Sequence, residues 1–233
     1  MVHSIDRRRA LQLFAATGLA FTGYASGSDQ HHLAEKPITG EEAIRTLKAG
    51  NSRFVSGHPH CGNQDVARRG ELSKSQHPFV TILGCSDSRV PIERIFDQGL
   101  GDIFTVRVAG NVVSEEVTGS IEYAVKHLGT LAVVVLGHES CGAVTAALSS
   151  PAELSGEPGE VRSLLDLIKP AIANIDRSQA KAKQIELGVE ANARESLRQV
   201  RRKQDWNHLA GHPVVFASAV YSLTSGKVQW LQE

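Results

Sequence analysis

Two short segments rich in metal-ligand side chains each follow an apolar stretch of the sequence. CSDSR (85–89) follows residues 77–84, and HESC (138–141) follows residues 130–137. Short apolar runs that end in glycine are typical of strands buried in parallel sheets. Because ligands bind beyond the carboxyl ends of such strands, we expect both segments to meet at one edge of a sheet.

The residue types in these segments favour zinc. Cys85, His138 and Cys141 offer two thiolates and an imidazole, and three protein ligands leave a fourth position open, as in catalytic zinc sites. Magnesium and calcium prefer oxygen ligands. A redox dithiol is disfavoured because the two cysteines lack C-x-x-C spacing. Asp87 and Arg89 are close enough to form an ion pair, which in isolation would only indicate a stabilised loop.

The surrounding elements predict a single α/β domain, with a mostly parallel central sheet flanked by helices. Predicted strands are 77–84, 102–110, 130–137 and 213–223, and 227–231 closes a C-terminal antiparallel edge hairpin. An N-terminal helix begins with a capping box of Thr39 and Glu42 and ends at Gly57. Further helices are predicted over 114–128, 161–176 and 184–203; residues 58–76 and 150–160 are predicted to be loops.

Composition excludes several classes of protein. The 233 residues are 41% hydrophobic, which rules out wholesale disorder. Lys plus Arg number 25 and Asp plus Glu number 25, so no global charge favours binding to nucleic acid. Three cysteines are too few for a dense disulfide framework. The histidines and Cys61 of HPHC (58–61) lack zinc spacing and predict a solvated loop with a free thiol.

The first 25 residues resemble an export signal. Three arginines at 7–9 precede an apolar stretch, residues 10–25, that is too short and too rich in Gly and Thr to span a bilayer. The paired arginines Arg7 and Arg8 are similar to a twin-arginine motif, which predicts a periplasmic or otherwise exported protein with no membrane contact after leader removal. Residues 26–37 form a predicted linker and 38–233 the folded domain. The alternative is an N-terminal amphipathic helix.

CSDSRVP (85–91) and GHESCGAV (137–144) resemble the two signature segments of β-class carbonic anhydrases. The resemblance extends over residues 37–233. It implies one zinc ion per chain on Cys85, His138 and Cys141, and reversible hydration of CO2 to bicarbonate and a proton by zinc-bound hydroxide. Asp87 would accept a hydrogen bond from that hydroxide, and Arg89 would hold Asp87 in place.

The resemblance also implies a possible closed state, in which Asp87 leaves Arg89 and becomes the fourth zinc ligand. Members of the family that stabilise this state with bicarbonate carry a Trp three positions before the first ligand cysteine. Ile82 occupies that position here, so we expect Asp87 to stay paired with Arg89.

Substrate-pocket residues follow from the plant-like members of the family. Gln76, Phe104 and Tyr123 match their glutamine and aromatic positions, and Gly142 is placed with them as a substrate-binding residue. In relatives several of these residues come from a neighbouring subunit, which implies a homodimer or a higher even homo-oligomer. The alternative for Phe104 and Tyr123 is ordinary packing.

Two further functions stay open at this point. The first is hydrolysis of a CO2-like molecule, carbonyl sulfide or carbon disulfide, because linear apolar triatomic molecules need similar pockets. The second is a catalytically dead, zinc-stabilised binding protein. The intact Asp87, Arg89 and Gln76 argue against a dead site.

Overall fold

The structure is a computed structural model that describes residues 36–60, 62–150 and 152–232. The predicted signal peptide, nearly all of the predicted linker and Cys61 lie outside the described residues.

A five-stranded sheet forms the centre of the described domain. Its strands are β1 (Val80–Gly84), β2 (Ile103–Arg107), β3 (Ala132–His138), β4 (Val215–Tyr221) and β5 (Val228–Trp230). Their order is β2-β1-β3-β4-β5, and every pair is parallel except β4 and β5, which are antiparallel. The predicted α/β class, parallel sheet and C-terminal antiparallel edge are therefore confirmed, although the strands are shorter than predicted.

The two central strands are buried on both faces, which explains their continuous apolar sequence. All residues of β1 and β3 are buried. Because side chains alternate across a strand, Ile82 packs into one core layer and Leu83 into the opposite layer. A fully buried side chain of this size contributes about 1.5–3 kcal/mol through loss of its apolar surface from water.

Helices cover both faces of the sheet. They are α1 (Gly40–Ser56), α2 (Val66–Leu72), α3 (Ile92–Ile95), α4 (Glu115–Leu128), α5 (Gly142–Ala147), α6 (Gly159–Ile172), α7 (Lys181–Arg202) and α8 (Trp206–Ala210). Helices α1 and α3 contribute to the layer of Ile82, and α4 and α7 to the layer of Leu83. Within the described ranges, no helix is both long enough and apolar enough to cross a membrane.

The helix ends follow the local chemistry of the sequence. Thr39 and Glu42 form the predicted capping box at the start of α1, and Gly57 ends it in the left-handed conformation at φ 75°. Ser114 accepts from the Val117 amide at the start of α4, and Gly129 ends that helix at φ 70°.

Four short helices were absent from the sequence prediction. Helices α2, α3, α5 and α8 are four to seven residues long, too short for a hydrophobic period to show. Helix α2 lies in a predicted loop and has no buried residue. Helix α6 begins at Gly159, inside the segment 150–160 that was predicted as a loop.

Candidate metal centre

The sheet register brings the two ligand segments together. Strands β1 and β3 are adjacent and parallel, with Gly84 paired to Leu136. Cys85, which follows the last residue of β1, is therefore one residue along the register from His138, the last residue of β3. A tight turn with Ser140 at φ 53° then carries the chain to Cys141, directly before α5.

Cys85, His138 and Cys141, hereafter the metal centre, form a compact buried cluster. One ligand atom from each residue lies within 4.8 Å of the other two. The three residues are 5%, 0% and 1% exposed, respectively. Their side chains thus converge away from bulk water, as the sequence interpretation of these three residues requires.

His138 has one ring nitrogen committed to the protein and one aimed at the cluster. Nδ1 lies 2.9 Å from the carbonyl oxygen of Glu139. Nε2 is buried and has no hydrogen-bond partner. Since a buried polar atom without a partner is costly, and a metal-bound imidazole typically donates its other N–H to a carbonyl, the ring has the orientation expected of a ligand.

The two thiols interact with each other. The neighbouring Cys141 thiol lowers the pKa of Cys85, against the opposing effect of burial, and His138 and the amides of Gly110 and Asp87 lower it further. The same interaction, together with burial, raises the pKa of Cys141. A divalent cation bound by both sulfurs would favour their deprotonated, thiolate forms. This donor set fits zinc.

Asp87 lies beside the metal centre and is held by Arg89. Arg89 Nε donates to Asp87 Oδ1 at 2.9 Å and Nη2 donates to Oδ2 at 2.7 Å, and the Arg89 amide also reaches Oδ1 at 2.9 Å. These contacts hold the pKa of Asp87 well below its usual range. Oδ2 lies 3.8 Å from Nε2 of His138.

Arg107 contributes to the structure of the metal centre, and the sequence analysis did not identify it. Its Nε donates to the carbonyl oxygen of Cys85 at 3.0 Å, and its Nη2 donates to that of Asp87 at 2.7 Å. It therefore fixes the backbone that carries both a ligand and the ion pair. The only signal in the sequence was a charged residue at the end of an otherwise uncharged strand, β2.

The residues assigned to the substrate pocket do not join the metal centre within one chain, apart from Gly142. Gly142 begins α5 directly after Cys141 and has open space around its Cα. Phe104 pairs with Thr81, three residues before the end of β1, which is about 10 Å along the strand.

Phe104 and Tyr123 instead form an open aromatic cluster beside the edge strand β2. Their ring centroids are 6.3 Å apart, and Tyr123 also lies 5.3 Å from the ring of His127. Tyr123 is 49% exposed. Gln76 is also exposed and lines a shallow cavity with Gly101, just before β2. We name Gln76, Phe104 and Tyr123 the β2-edge surface.

Comparison with known proteins agrees with this geometry. Residues 80–228 match the family model described as carbonic anhydrase. A carbonic anhydrase of Mycolicibacterium smegmatis is 49% identical over 130 residues, which cover 56% of this chain and 63% of the relative. The match therefore spans less than two thirds of the relative's own length.

Solved structures show the same fold. The β-carbonic anhydrase CafA of Aspergillus fumigatus superposes with a TM-score of 0.63 at 27% identity, over 82% of this chain and 90% of that chain. Tetrameric β-carbonic anhydrases of Sordaria macrospora give a TM-score of 0.63 at 24% identity, over 83% of this chain and 96% of that chain. The domain has the β-carbonic anhydrase fold, and the chain belongs to the carbonic anhydrase family.

Proposed function

We propose that this chain is a zinc enzyme that reversibly hydrates CO2 to bicarbonate and a proton. The observation that carries the proposal is the buried cluster of Cys85, His138 and Cys141 with the Asp87–Arg89 pair beside it. A bound zinc ion would supply Lewis-acid chemistry, lowering the pKa of a water molecule to about 7 and making a nucleophile available at neutral pH.

The chain's own residues have three tasks in this reaction. Cys85, His138 and Cys141 would hold the ion, and as three protein ligands they would not close the site to substrate and water. Asp87 accepts a hydrogen bond from the attacking nucleophile and directs its lone pair toward the carbon of CO2. Because Arg89 keeps the pKa of Asp87 low, the carboxylate orients the nucleophile without keeping its proton, which leaves to solvent.

The test is stopped-flow CO2 hydration together with zinc quantification on the same preparation. We expect about one zinc per chain and rapid hydration. A preparation loaded with zinc that hydrolyses carbonyl sulfide or carbon disulfide but not CO2 would support the related hydrolase instead. Full zinc occupancy with no turnover of any of the three molecules would indicate a binding protein.

We further propose that the working enzyme is a homodimer or a higher even oligomer in which the β2-edge surface of one copy completes the pocket of another. Within one chain, Phe104 lies about 10 Å along the sheet from the ligand end of β1, while the Tyr123 side chain remains open to solvent. The tetrameric solved relatives support association. Sedimentation velocity over a range of concentrations tests it, with a monomer at assay concentration contradicting it.

We propose that Asp87 stays on Arg89 near neutral pH. The three hydrogen bonds between the two residues support this, as does Ile82, whose side chain is fully buried in the core and lies where bicarbonate-regulated relatives carry Trp. A pH–rate profile with and without added bicarbonate tests the proposal. We expect a single titration and no bicarbonate effect.

We also propose export by the twin-arginine route, on the basis of Arg7, Arg8 and the apolar stretch at 10–25. This route carries folded proteins, so zinc could protect both ligand thiols before they reach an oxidising compartment. Replacing both arginines by lysine should retain the precursor in the cytoplasm. A processed, exported double variant would contradict the assignment.

A further inference from the structure

A buried amide in the middle of α7 is tied to the loop beside Cys85. Asn192 is 2% exposed and is flanked on its helix by the buried residues Val189 and Ala193. Asparagine is a poor helix former, and burying its amide is costly unless it is hydrogen-bonded. Its Nδ2 donates to the carbonyl oxygen of Gly110 at 2.7 Å, across 82 positions of sequence.

Gly110 in turn contacts a ligand of the metal centre. Its backbone N–H donates to Sγ of Cys85 at 3.3 Å. The residue has φ +69°, and a Cβ there would lie 2.8 Å from Cδ1 of Ile168 and 3.1 Å from Cβ of Ala143. Both the backbone conformation and the lack of space therefore require glycine at this position. Because glycine is the most flexible residue, its backbone needs other contacts to hold it in one conformation.

We propose that Asn192 is a positioning residue for the zinc ligand Cys85. It holds the carbonyl of Gly110, and this restricts the Gly110 backbone to the conformation in which its N–H points at the sulfur. The role rests on the proposed zinc site. Hydrogen bonds to ligand atoms tune the charge that those atoms give to a metal, so the effect of Asn192 reaches the metal through one backbone amide.

The two thiolate ligands differ in how their amide donors are held. Cys141 receives its backbone hydrogen bonds from Ala143 and Val144, two and three residues after it in the chain, and Cys85 likewise receives one from Asp87, two residues after it. The Gly110 amide reaches Cys85 from a separate loop. Asn192 ties that loop to α7, 82 positions further along the sequence. Loss of Asn192 should therefore affect one sulfur and spare the other.

The experiment compares Asn192→Ala and Asn192→Leu with Gln184→Ala. Leucine has the same branching and the same number of side-chain heavy atoms as asparagine, so it fills the site without the amide and keeps the test intact if the alanine variant folds poorly. Gln184 is a matched control, since it is 8% exposed on the same helix and its Nε2 donates to the carbonyls of Arg177 and Gln179, remote from Cys85 in sequence. Each variant is measured with zinc, with cobalt in its place, and without metal.

Three measurements are made on every variant. In both Asn192 variants we expect amide hydrogen exchange at Gly110 to become about tenfold faster. We expect the sulfur-to-cobalt charge-transfer band to move to lower energy, because a thiolate without its N–H donor gives up charge more readily. Zinc should dissociate about tenfold more readily. Gln184→Ala should change none of the three, even where it lowers the melting temperature.

The outcomes separate the two proposals. Unchanged Gly110 exchange and an unchanged cobalt band in a folded Asn192→Leu protein overturn the role of Asn192 and leave the zinc site intact. An equal shift in Gln184→Ala overturns it as well, because the effect would then report general loosening of α7. Failure of the wild-type protein to bind either metal overturns the zinc site itself.

Discussion

The metal centre and the β2-edge surface differ in how completely one chain builds them. The metal centre is buried, and neighbours within the same chain hold it in place. Arg107 donates hydrogen bonds to the backbone carbonyls of Cys85 and Asp87, and the Gly110 amide donates to the sulfur of Cys85. The β2-edge surface has an exposed Tyr123 next to Phe104 of the edge strand β2, and an exposed Gln76 that lines a cavity with Gly101, just before that strand. The candidate metal centre is therefore assembled within a single chain, whereas the proposed substrate pocket would need a second copy.

The largest expected effect is loss of a metal ligand. Cys85→Ser or His138→Ala should reduce zinc from about one per chain to near zero and abolish CO2 hydration, because two remaining ligands cannot hold the ion in a folded site. Elemental analysis and stopped-flow assays measure both. Cys61→Ser is the matched cysteine control and should keep its zinc. Retention of zinc by Cys85→Ser would break the assignment of the metal centre.

Arg89→Ala should keep the metal but lose activity. Without the guanidinium hydrogen bonds of Arg89, Asp87 is no longer held in place, so kcat/KM should fall about 10- to 100-fold at neutral pH. Arg198→Ala is the control, since Arg198 has similar exposure and forms an ion pair with Glu195 on α7. An active Arg89→Ala enzyme would show that Asp87 needs no support.

The same variant sharpens the pH prediction. Without Arg89 the pKa of Asp87 should rise toward its ordinary value of about 3.9, which still leaves it charged at neutral pH. The loss of activity therefore reflects a freed carboxylate competing for the metal, and it should deepen at acid pH and with added bicarbonate. A steep, bicarbonate-sensitive fall in the activity of the wild type toward acid pH would contradict the inference, drawn from Ile82, that Asp87 stays paired with Arg89.

Tyr123→Ala tests the β2-edge surface. We expect zinc content and thermal stability to stay near the wild-type values, while kcat/KM falls about tenfold and association weakens, since an aromatic contact adds about 0.5–1.5 kcal/mol beyond its buried area. Leu167→Ala, at a position that is 40% exposed on α6, is the control. Zinc loss in Tyr123→Ala would show that the two regions are not independent.

Glu139→Gln should have the smallest effect. The Glu139 carboxylate accepts from the Thr224 amide and the Ser222 hydroxyl, tying the ligand segment to the turn between β4 and β5. We expect a loss of about 0.5 kcal/mol in the free energy of unfolding at pH 7, because the group is solvent-screened. Zinc content should not change, since His138 contacts the backbone carbonyl of Glu139 rather than its carboxylate.

The pH dependence of this difference has a definite sign. The Thr224 amide and the Ser222 hydroxyl lower the pKa of Glu139 from 4.5. A lowered pKa means that the stabilisation is present above about pH 4.5 and is lost as the pH falls through the folded value. Thermal unfolding of wild type and variant should therefore converge in acid. A stability difference between the two proteins that persists in acid would mean that packing, and not the charge of Glu139, causes it.

Sequence alone determined the class of fold and the candidate metal ligands, for a physical reason. Apolar runs, capping residues and C-terminal glycines act over a few neighbouring positions. For this reason β1, β3 and the ends of α1 and α4 can be predicted from the sequence. The placement of Cys85 and His138 at the carboxyl ends of two strands follows from those same local signals, whereas the pairing of β1 with β3 is seen only in the structure.

Only the tertiary structure decided what surrounds the ligands. Arg107 and Asn192 reach the Cys85 loop and Gly110 across 20 to 82 positions of sequence. Such contacts depend on how β2 pairs with β1 and on how α7 packs on the sheet, and no local pattern encodes them. The same packing places Phe104 and Tyr123 beside an edge strand, away from the metal centre, because strand register sets how far each side chain lies from the end of the sheet.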